Sequence, residues 1–191
     1  MVLLDRANLA PRDHAILDAL TQCVRVLGIR QIAMHWFAAA ADPVRAASRR
    51  LQVLAERGLV ERFWMPARPT PALSEPLVRW KPGGPAPPFN ELARALAGRW
   101  TLPAGRVACV IATRATGNWL GGDGGRRPRR SEVSHDLLLG ALYLAWLRTH
   151  PETAASWLSE GRLRRLGFGD RGRLPDALID SGADRRAVEV G

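Results

Sequence analysis

The segment from Asp42 to Gly58 constrains the fold more than any other part of the chain, because its residues indicate the start, the end and the buried side of one helix. Asp42 belongs to the residue types that cap a helix N-terminus, and Pro43 follows in the first turn, where a missing N–H costs nothing. Gly58 is a common residue just past a helix end. The apolar stripe at helical spacing consists of Ala47, Leu51 and Leu54. This segment therefore predicts a short amphipathic helix.

Two helical stretches precede this helix, and a hairpin is predicted to follow it. The first stretch begins after Pro11 and ends at Gly28, and the second covers residues 29–40. The hairpin consists of a strand over residues 59–64, a Pro-rich turn over 66–76 and a returning strand over 77–80. Three helices followed by a hairpin is the order of a winged helix-turn-helix domain.

The polar side of the third helix carries Arg45, Arg49 and Gln52 at offsets of four and three, so their side chains project together. Ser48 lies beside them and Arg50 flanks them. The bland alternative is that this polar side is simply a solvated arginine face.

Residues 30–64 resemble the helix-turn-helix of bacterial winged-helix DNA-binding proteins. The likeness is strongest in a Leu-x-x-Leu-x-x-Arg-Gly-Leu-Val segment, which consists here of Leu51, Leu54, Arg57, Gly58, Leu59 and Val60. In such domains the third helix enters the major groove, and the hairpin tip contacts phosphate or the minor groove. The resemblance implies a base-reading set of Arg45, Ser48, Arg49 and Gln52, with Arg68 as a phosphate contact at the tip.

The charge balance agrees with an anionic partner. The 191 residues contain 28 basic and 18 acidic side chains, a formal net charge of +10, and Lys81 is the single lysine. Arginine carries a planar fork of donors that suits phosphate and guanine edges. An arginine-rich proteome without such a partner is the alternative explanation.

Cysteine usage and hydropathy indicate the cellular compartment in which we expect the protein. Cys23 and Cys109 lie far apart in apolar contexts, which excludes a disulfide scaffold or a metal knuckle and favours reduced thiols. The longest apolar run, residues 137–147, is too short to span a membrane, and the N-terminus is not a signal peptide. We therefore expect a cytoplasmic protein with no membrane partner.

A Pro/Gly linker is predicted over residues 81–90, and a second unit follows it. Residues 90–97 predict a short helix and residues 106–112 a buried strand. Residues 117–130 predict a mobile loop without the Gly-Lys-Ser/Thr ending that a phosphate-binding P-loop needs. The loop is either solvated or a nucleic-acid contact through Arg126, Arg127, Arg129 and Arg130.

A long helix begins at Ser131 and is apolar almost all round, which predicts a buried central helix. Two short strands are predicted near the C-terminus, over residues 174–179 and 186–191. Pro175-Asp176 and Glu189-Val190 on these strands resemble the PD-(D/E)xK nuclease signature, in which two acids hold a divalent metal.

That nuclease resemblance implies Asp176 and Glu189 as metal ligands, with Asp136 or Glu132 completing the site. Gly191 stands where the signature has lysine, so we expect an inactive nuclease-like domain with no cofactor, and Mg²⁺ only if the acids function. The enzyme alternative is a metal-dependent nuclease using Asp136, Asp176 and Glu189. In the structural alternative, Asp176 caps a turn, Glu189 pairs with Arg186 or another neighbour, and His135 is a hydrogen-bonded histidine near the helix N-terminus.

A wider resemblance covers residues 12–191. Ser134-His135-Asp136-Leu137, then Trp157-Leu158 and Pro175-Asp176-Ala177-Leu178, resemble the replication-relaxation family of plasmid and mobile-element proteins. The family pairs a winged helix with a nuclease-like domain, which implies DNA binding in plasmid replication, transfer or transcriptional control. The residues carried over from it are Arg45, Arg49, Gln52, His135, Asp136, Asp176 and Glu189.

The sequence thus predicts an α+β protein. Residues 1–80 form a winged helix-turn-helix, residues 81–90 a linker, and residues 91–191 a small restriction-endonuclease-like α/β domain. That domain ends early at Gly191, so its sheet is short, is completed by a partner, or belongs to a truncated chain. The expected partners are double-stranded DNA and a second copy of the chain, since winged-helix proteins commonly bind paired half-sites. A protein-interaction module is the third functional class.

Overall fold

The computed structural model describes residues 8–71, 73, 83–169, 173–182 and 185–190. The fold is mixed α+β with two small antiparallel sheets, as the sequence predicts at this level. A π-helical turn at Ala19–Cys23 directly follows the helix that ends at Asp18, and a 3-10 turn at Pro151–Ser156 follows the helix that ends at Thr149. The helices are α1 (Pro11–Asp18), α2 (Ile29–Trp36), α3 (Pro43–Glu56), α4 (Phe89–Thr101), α5 (Arg114–Leu120), α6 (Val133–Thr149) and α7 (Glu160–Arg165). The strands are β1 (Leu27–Gly28), β2 (Val60–Ala67), β3 (Gly105–Ala112), β4 (Trp157–Ser159), β5 (Ala177–Asp180) and β6 (Arg185–Val188).

The first sheet has the strand order β1-β3-β2. β2 and β3 pair along their whole lengths, from Val60 opposite Ala112 to Ala67 opposite Gly105. The two-residue β1, between α1 and α2, pairs with the other edge of β3, with Leu27 opposite Val110. The sheet therefore joins the region before α2 to the strands that follow α3.

The partner of β2 differs from the one that the sequence predicts. The expected returning strand at residues 77–80 lies outside the described residues, as do Lys81 and Pro82 of the expected linker. β3, interpreted from sequence as a strand of the second unit, instead completes the first sheet. The physical reason is that β3 carries small apolar side chains on both faces, which suits a central strand covered on each side.

Helices cover both faces of this sheet. On one face Val60, Val110 and Ala112 belong to a core cluster with residues of α1, α2 and α3. On the other face Cys109 and Ile111 belong to a second cluster with Val133 and Leu137 of α6. The side chains therefore alternate between a three-helix layer and α6 along β3.

α6 is the central helix that its apolar circumference predicts. Buried residues occur over its first three turns, and its Tyr143 and Leu144 enter the same cluster as α1 and α3. Gly140 allows α6 to approach the first sheet, because a Cβ there would lie 2.9 Å from Leu27 Cδ2 and 3.0 Å from the Val26 carbonyl oxygen. The larger core cluster therefore includes residues from both sides of the predicted linker.

The second sheet has the order β4-β5-β6 and is antiparallel throughout. β5 starts three residues later than the strand predicted from residue 174, and β6 starts one residue earlier than the strand predicted from residue 186. The sequence-based prediction contains neither β4 nor α7. The indole of Trp157 in β4 is buried, and its Nε1 donates to the Cys23 carbonyl at 3.0 Å, which ties this sheet to the turn after α1. Ala183 and Asp184 of the predicted turn lie outside the described residues.

Among the residues that the structure describes, no helix has the length and apolar character needed to cross a membrane. α6, the longest helix, has 17 residues.

Candidate nucleic-acid interface

α3 has the ends and the buried side that its sequence predicts. The Asp42 carboxylate caps the helix by accepting from the Arg45 backbone N–H at 3.0 Å, and Pro43 occupies the first turn. The stripe of Ala47, Leu51 and Leu54 is fully buried against the other helices. This stripe fixes the rotation of α3, and its opposite side faces outward.

Three of the predicted contact residues lie exposed on that outward side: Arg45, Arg49 and Gln52. Ser48 is half-buried between them. Within the described part of the chain, the guanidinium groups of Arg45 and Arg49 have no ion pair. The sequence-predicted row at offsets of four and three is therefore present, and two of its cations are open to a ligand.

Arg50 is placed differently from its prediction as a DNA contact. Its Nε donates to Asp13 Oδ1 at 2.8 Å and its Nη2 donates to Asp13 Oδ2, a two-pronged ion pair with a fully buried carboxylate of α1. Burial opposes ionisation of Asp13, but the hydrogen bonds from Arg50 and from the Ala10 backbone outweigh it and lower the pKa of Asp13. Arg50 is thus a structural residue that joins α3 to α1.

Arg62 of β2 reaches the outward side of α3, and the sequence analysis missed it. Its Nη2 donates to Ser48 Oγ at 3.0 Å, and its Nη1 donates to Gln52 Oε1. The signal that could have found it is the alternation of β2, which turns Arg62 and Trp64 to the same face as the buried Val60. Two of the predicted base-reading side chains therefore hold an arginine from the neighbouring strand.

The far end of β2 and β3 carries an exposed aromatic–cation pair on this same face. Trp64 is 57 % exposed, and the Arg106 guanidinium lies over its ring, 4.6 Å from the ring centroid. Arg68 lies just beyond β2, where its backbone N–H donates to Ser134 Oγ at 2.9 Å and its Nη1 donates to the Leu102 carbonyl at 2.7 Å. These contacts place Arg68 beside α6, so its predicted role at an open hairpin tip has no support here.

The four arginines of the α5–α6 connection do not join the α3 surface as a group. Arg127 Nε donates to Glu61 Oε2 at 3.0 Å and its guanidinium lies over Phe63, on the face of β2 opposite Arg62. Arg126 pairs with Glu132 at 3.5 Å. Arg129 and Arg130 are exposed.

The prediction of a mobile loop at residues 117–130 is wrong for its first half. Residues 117–120 belong to α5, and two of the glycines after them, Gly122 and Gly124, pack tightly. A Cβ at Gly122 would lie 2.3 Å from the Thr21 carbonyl oxygen, and one at Gly124 would lie 2.2 Å from the Thr113 carbonyl oxygen. These glycines therefore serve close backbone packing, which composition alone cannot distinguish from flexibility.

A second charged cluster lines a cleft of about 790 Å³ between the turn after α1, the start of α6, α7 and Asp176, which precedes β5. Arg25 donates to Asp136 Oδ2 from Nε at 2.9 Å and from Nη2 at 2.5 Å, and to Glu132 Oε2 at 3.1 Å. His135 lies between two carboxylates, with Nε2 3.0 Å from Asp176 Oδ2 and Nδ1 3.4 Å from Asp136 Oδ1. The cluster links α6 to the segments that precede β1 and β5.

The two carboxylates beside the histidine of this cluster raise its pKa. A hydrogen bond with Asp136 raises the pKa of His135, burial opposes that effect, and the hydrogen bond with Asp176 adds to it, so the pKa lies above its ordinary value. A protonated ring can donate to both carboxylates at once.

The acidic residues predicted to hold Mg²⁺ do not form a metal site. Asp136 faces Arg25, and Asp176 accepts from the His135 side and from the Val190 N–H at 2.8 Å. Glu189 is exposed and lies outside this network. In the described ranges, no group of three or more His, Cys, Asp and Glu side chains is arranged to bind a metal ion. The residues present therefore do not fit Mg²⁺, which prefers several free oxygen ligands.

Comparisons of the chain with protein-family models, with curated proteins and with solved structures found no match.

Proposed function

We propose that this protein binds double-stranded DNA through the outward side of α3, as a winged helix-turn-helix protein. The observation that carries the proposal is the pair of exposed arginines, Arg45 and Arg49, one turn apart on a capped helix and without an ion pair among the described residues. Exposed cations without internal partners are the groups that an anionic ligand can neutralise.

The order of elements supports the same proposal. Three helices precede β2, which pairs along its length with β3 from beyond α4, and β3 also receives the short β1. In a helix-turn-helix protein the recognition helix presents its outer side to the major groove. The start of α6 packs on the opposite face of the sheet, and Arg45, Arg49 and Gln52 on the outward side of α3 are exposed.

The biological setting of this DNA binding comes from the resemblance in the sequence. It implies a role in plasmid or mobile-element replication, transfer or transcriptional control. A homodimer would place two α3 helices on half-sites about one helical turn of DNA apart. Light scattering coupled to size exclusion, with and without a selected duplex, tests that assembly.

Fluorescence anisotropy with a labelled random duplex at low salt, followed by selection of preferred sequences, tests the DNA binding. We expect each of Arg45→Ala and Arg49→Ala to weaken binding to the selected site by about 1–3 kcal/mol. The matched control is Arg164→Ala with Arg185→Ala, which removes the same charge from exposed positions near the second sheet.

Equal losses of affinity in the double variant Arg45→Ala with Arg49→Ala and in the control would show that only net charge attracts DNA. Failure of the wild type to bind any duplex at micromolar concentration would reject the proposal and favour the protein-interaction module. Mg²⁺-dependent cleavage of plasmid DNA that Asp176→Ala abolishes would reinstate the nuclease.

A further inference from the structure

The guanidinium of Arg62 is held between β2 and α3 by two neutral acceptors. Ser48 Oγ accepts from Nη2 at 3.0 Å, and Gln52 Oε1 accepts from Nη1. The Gln52 amide is in turn oriented by its own donation to Glu56 Oε1 at 2.9 Å, so its oxygen faces Arg62. The three side chains therefore fix the position of one cation at the edge of the exposed side of α3.

Within the described residues, Arg62 differs from Arg50 and Arg25 in what its guanidinium contacts. No carboxylate of the described residues forms an ion pair with it, and its buried Nε has no hydrogen-bond partner there. Arg50, the inward-turned arginine of α3, meets the Asp13 carboxylate, and Arg25 meets two carboxylates. A partly buried cation without a counter-charge is costly in a purely structural role.

The position of Arg62 extends the exposed row of α3. Ser48 and Gln52 alternate along the helix with Arg45 and Arg49, so an arginine bound to them lies next to that row. A strand that flanks a helix in the major groove approaches the sugar-phosphate backbone, where contacts position a protein without reading sequence.

We propose that Arg62 contacts a DNA phosphate and that Ser48 and Gln52 are positioning residues that hold it, instead of reading bases themselves. This inference rests on the DNA binding proposed above. It replaces the direct base contacts that the winged-helix resemblance implies for Ser48 and Gln52.

The first test measures the salt dependence of binding for Arg62→Gln and Arg62→Lys, on the selected duplex and on a random duplex. Arg62→Gln removes the charge but keeps a polar, though shorter, side chain on β2, and circular dichroism checks that the variant folds. We expect affinity to fall about tenfold on both duplexes and the slope of log K against log salt to decrease by about 0.9. Arg62→Lys should keep the slope, because a phosphate accepts from lysine as a point charge.

The second test is a double-mutant cycle between Gln52 and Arg62. If Gln52 acts by holding Arg62, Gln52→Ala weakens binding in the wild type but has little further effect in the Arg62→Gln background. Selection experiments with Gln52→Ala should return the same preferred sequence as the wild type.

Two results overturn the inference while leaving DNA binding by α3 intact. One is wild-type affinity and salt slope in Arg62→Gln when Arg49→Ala still weakens binding. The other is a changed base preference at one position in Gln52→Ala but not in Arg62→Gln, which would make Gln52 a base-reading residue. Absence of wild-type binding to any duplex instead rejects the proposed function on which the inference rests.

Discussion

Two arginine-rich regions, the outward side of α3 and the cleft at the start of α6, differ in what their guanidinium groups contact. In the cleft, Arg25 lies against Asp136 and Glu132, and Arg126 lies against Glu132. On α3, Arg45 and Arg49 extend into solvent without an ion pair among the described residues. One region balances its charges with carboxylates of the protein, and the other presents two cations that have no such carboxylate among the described residues.

This difference teaches that arginine content alone does not locate a ligand surface. A guanidinium between carboxylates already has its charge-assisted hydrogen bonds, and an anion would have to displace them. The same contrast occurs within one helix, where the neighbouring residues Arg49 and Arg50 have opposite surroundings. Adjacent positions on a helix point about 100° apart, so one faces water and the other faces α1.

The largest expected effect on stability comes from removing the ion pair between Arg50 and Asp13. We expect Arg50→Ala to lower the free energy of unfolding by about 3 kcal/mol, because it leaves the fully buried Asp13 carboxylate without its counter-charge. Urea denaturation followed by circular dichroism measures the change. DNA affinity, measured where the variant is folded, should remain close to that of the wild type.

A double variant separates the lost pairing from lost packing. Asp13→Asn combined with Arg50→Gln replaces the ion pair with neutral polar side chains, of which Gln is shorter than Arg, and we expect it to lose less stability than Arg50→Ala alone. A double variant as unstable as the single one would show that the Arg50 stem, not the ion pair, stabilises the contact of α3 with α1.

The sequence predicts the elements that carry the proposed interface but not their partners. The cap at Asp42, the apolar stripe of α3 and the buried α6 are local patterns, and each is found where predicted. The pairing of β2 with residues 105–112 is not local, because the strands are separated by α4 and compete with any nearer apolar segment. The sequence-based prediction pairs β2 with a segment close in sequence, as in a hairpin. The extra loop-closure entropy of a more distant partner is small, so nearness in sequence does not decide the pairing.

The candidate site shows the same limit at the level of side chains. The helical offsets predict the row of Arg45, Arg49 and Gln52. No local signal distinguishes Arg50, since its partner Asp13 lies 37 positions earlier in the chain. Arg62 reaches α3 only because β2 folds back beside it.

A pH titration tests the internally balanced region. The pKa of His135 is raised in the folded protein, so its contribution to stability is complete below the unfolded value of about 6.5 and is lost as pH rises through the folded pKa. We expect the stability difference between the wild type and His135→Gln to shrink as pH rises above about 6.5, by less than the loss in Arg50→Ala. Chemical denaturation at a series of pH values measures this difference.

The neighbouring carboxylates supply the control for that titration. Asp176→Asn removes one of the hydrogen-bonded charges that raise the pKa of His135, so the loss should move to lower pH. The pKa of His35 is shifted in the opposite direction, since burial and the charge of Arg148 lower it. His35 is present in both the wild type and the variants, so its effect cancels when their stabilities are compared. An unchanged profile in both variants would show that His135 does not couple α6 to β5 through its charge.

The smallest expected effect on stability belongs to the residues with the largest expected effect on binding. We expect Arg45→Ala and Arg49→Ala each to change the free energy of unfolding by less than about 0.5 kcal/mol, because neither exposed side chain has an internal ion pair in the described structure. Alanine also has the highest helix propensity, which offsets any small loss of packing. Denaturant midpoints measured beside those of Arg50→Ala give the comparison within one helix. A loss at Arg49 as large as that at Arg50 would mean that α3 uses its outward side for internal contacts, and the distinction between a balanced and an open arginine region would fail.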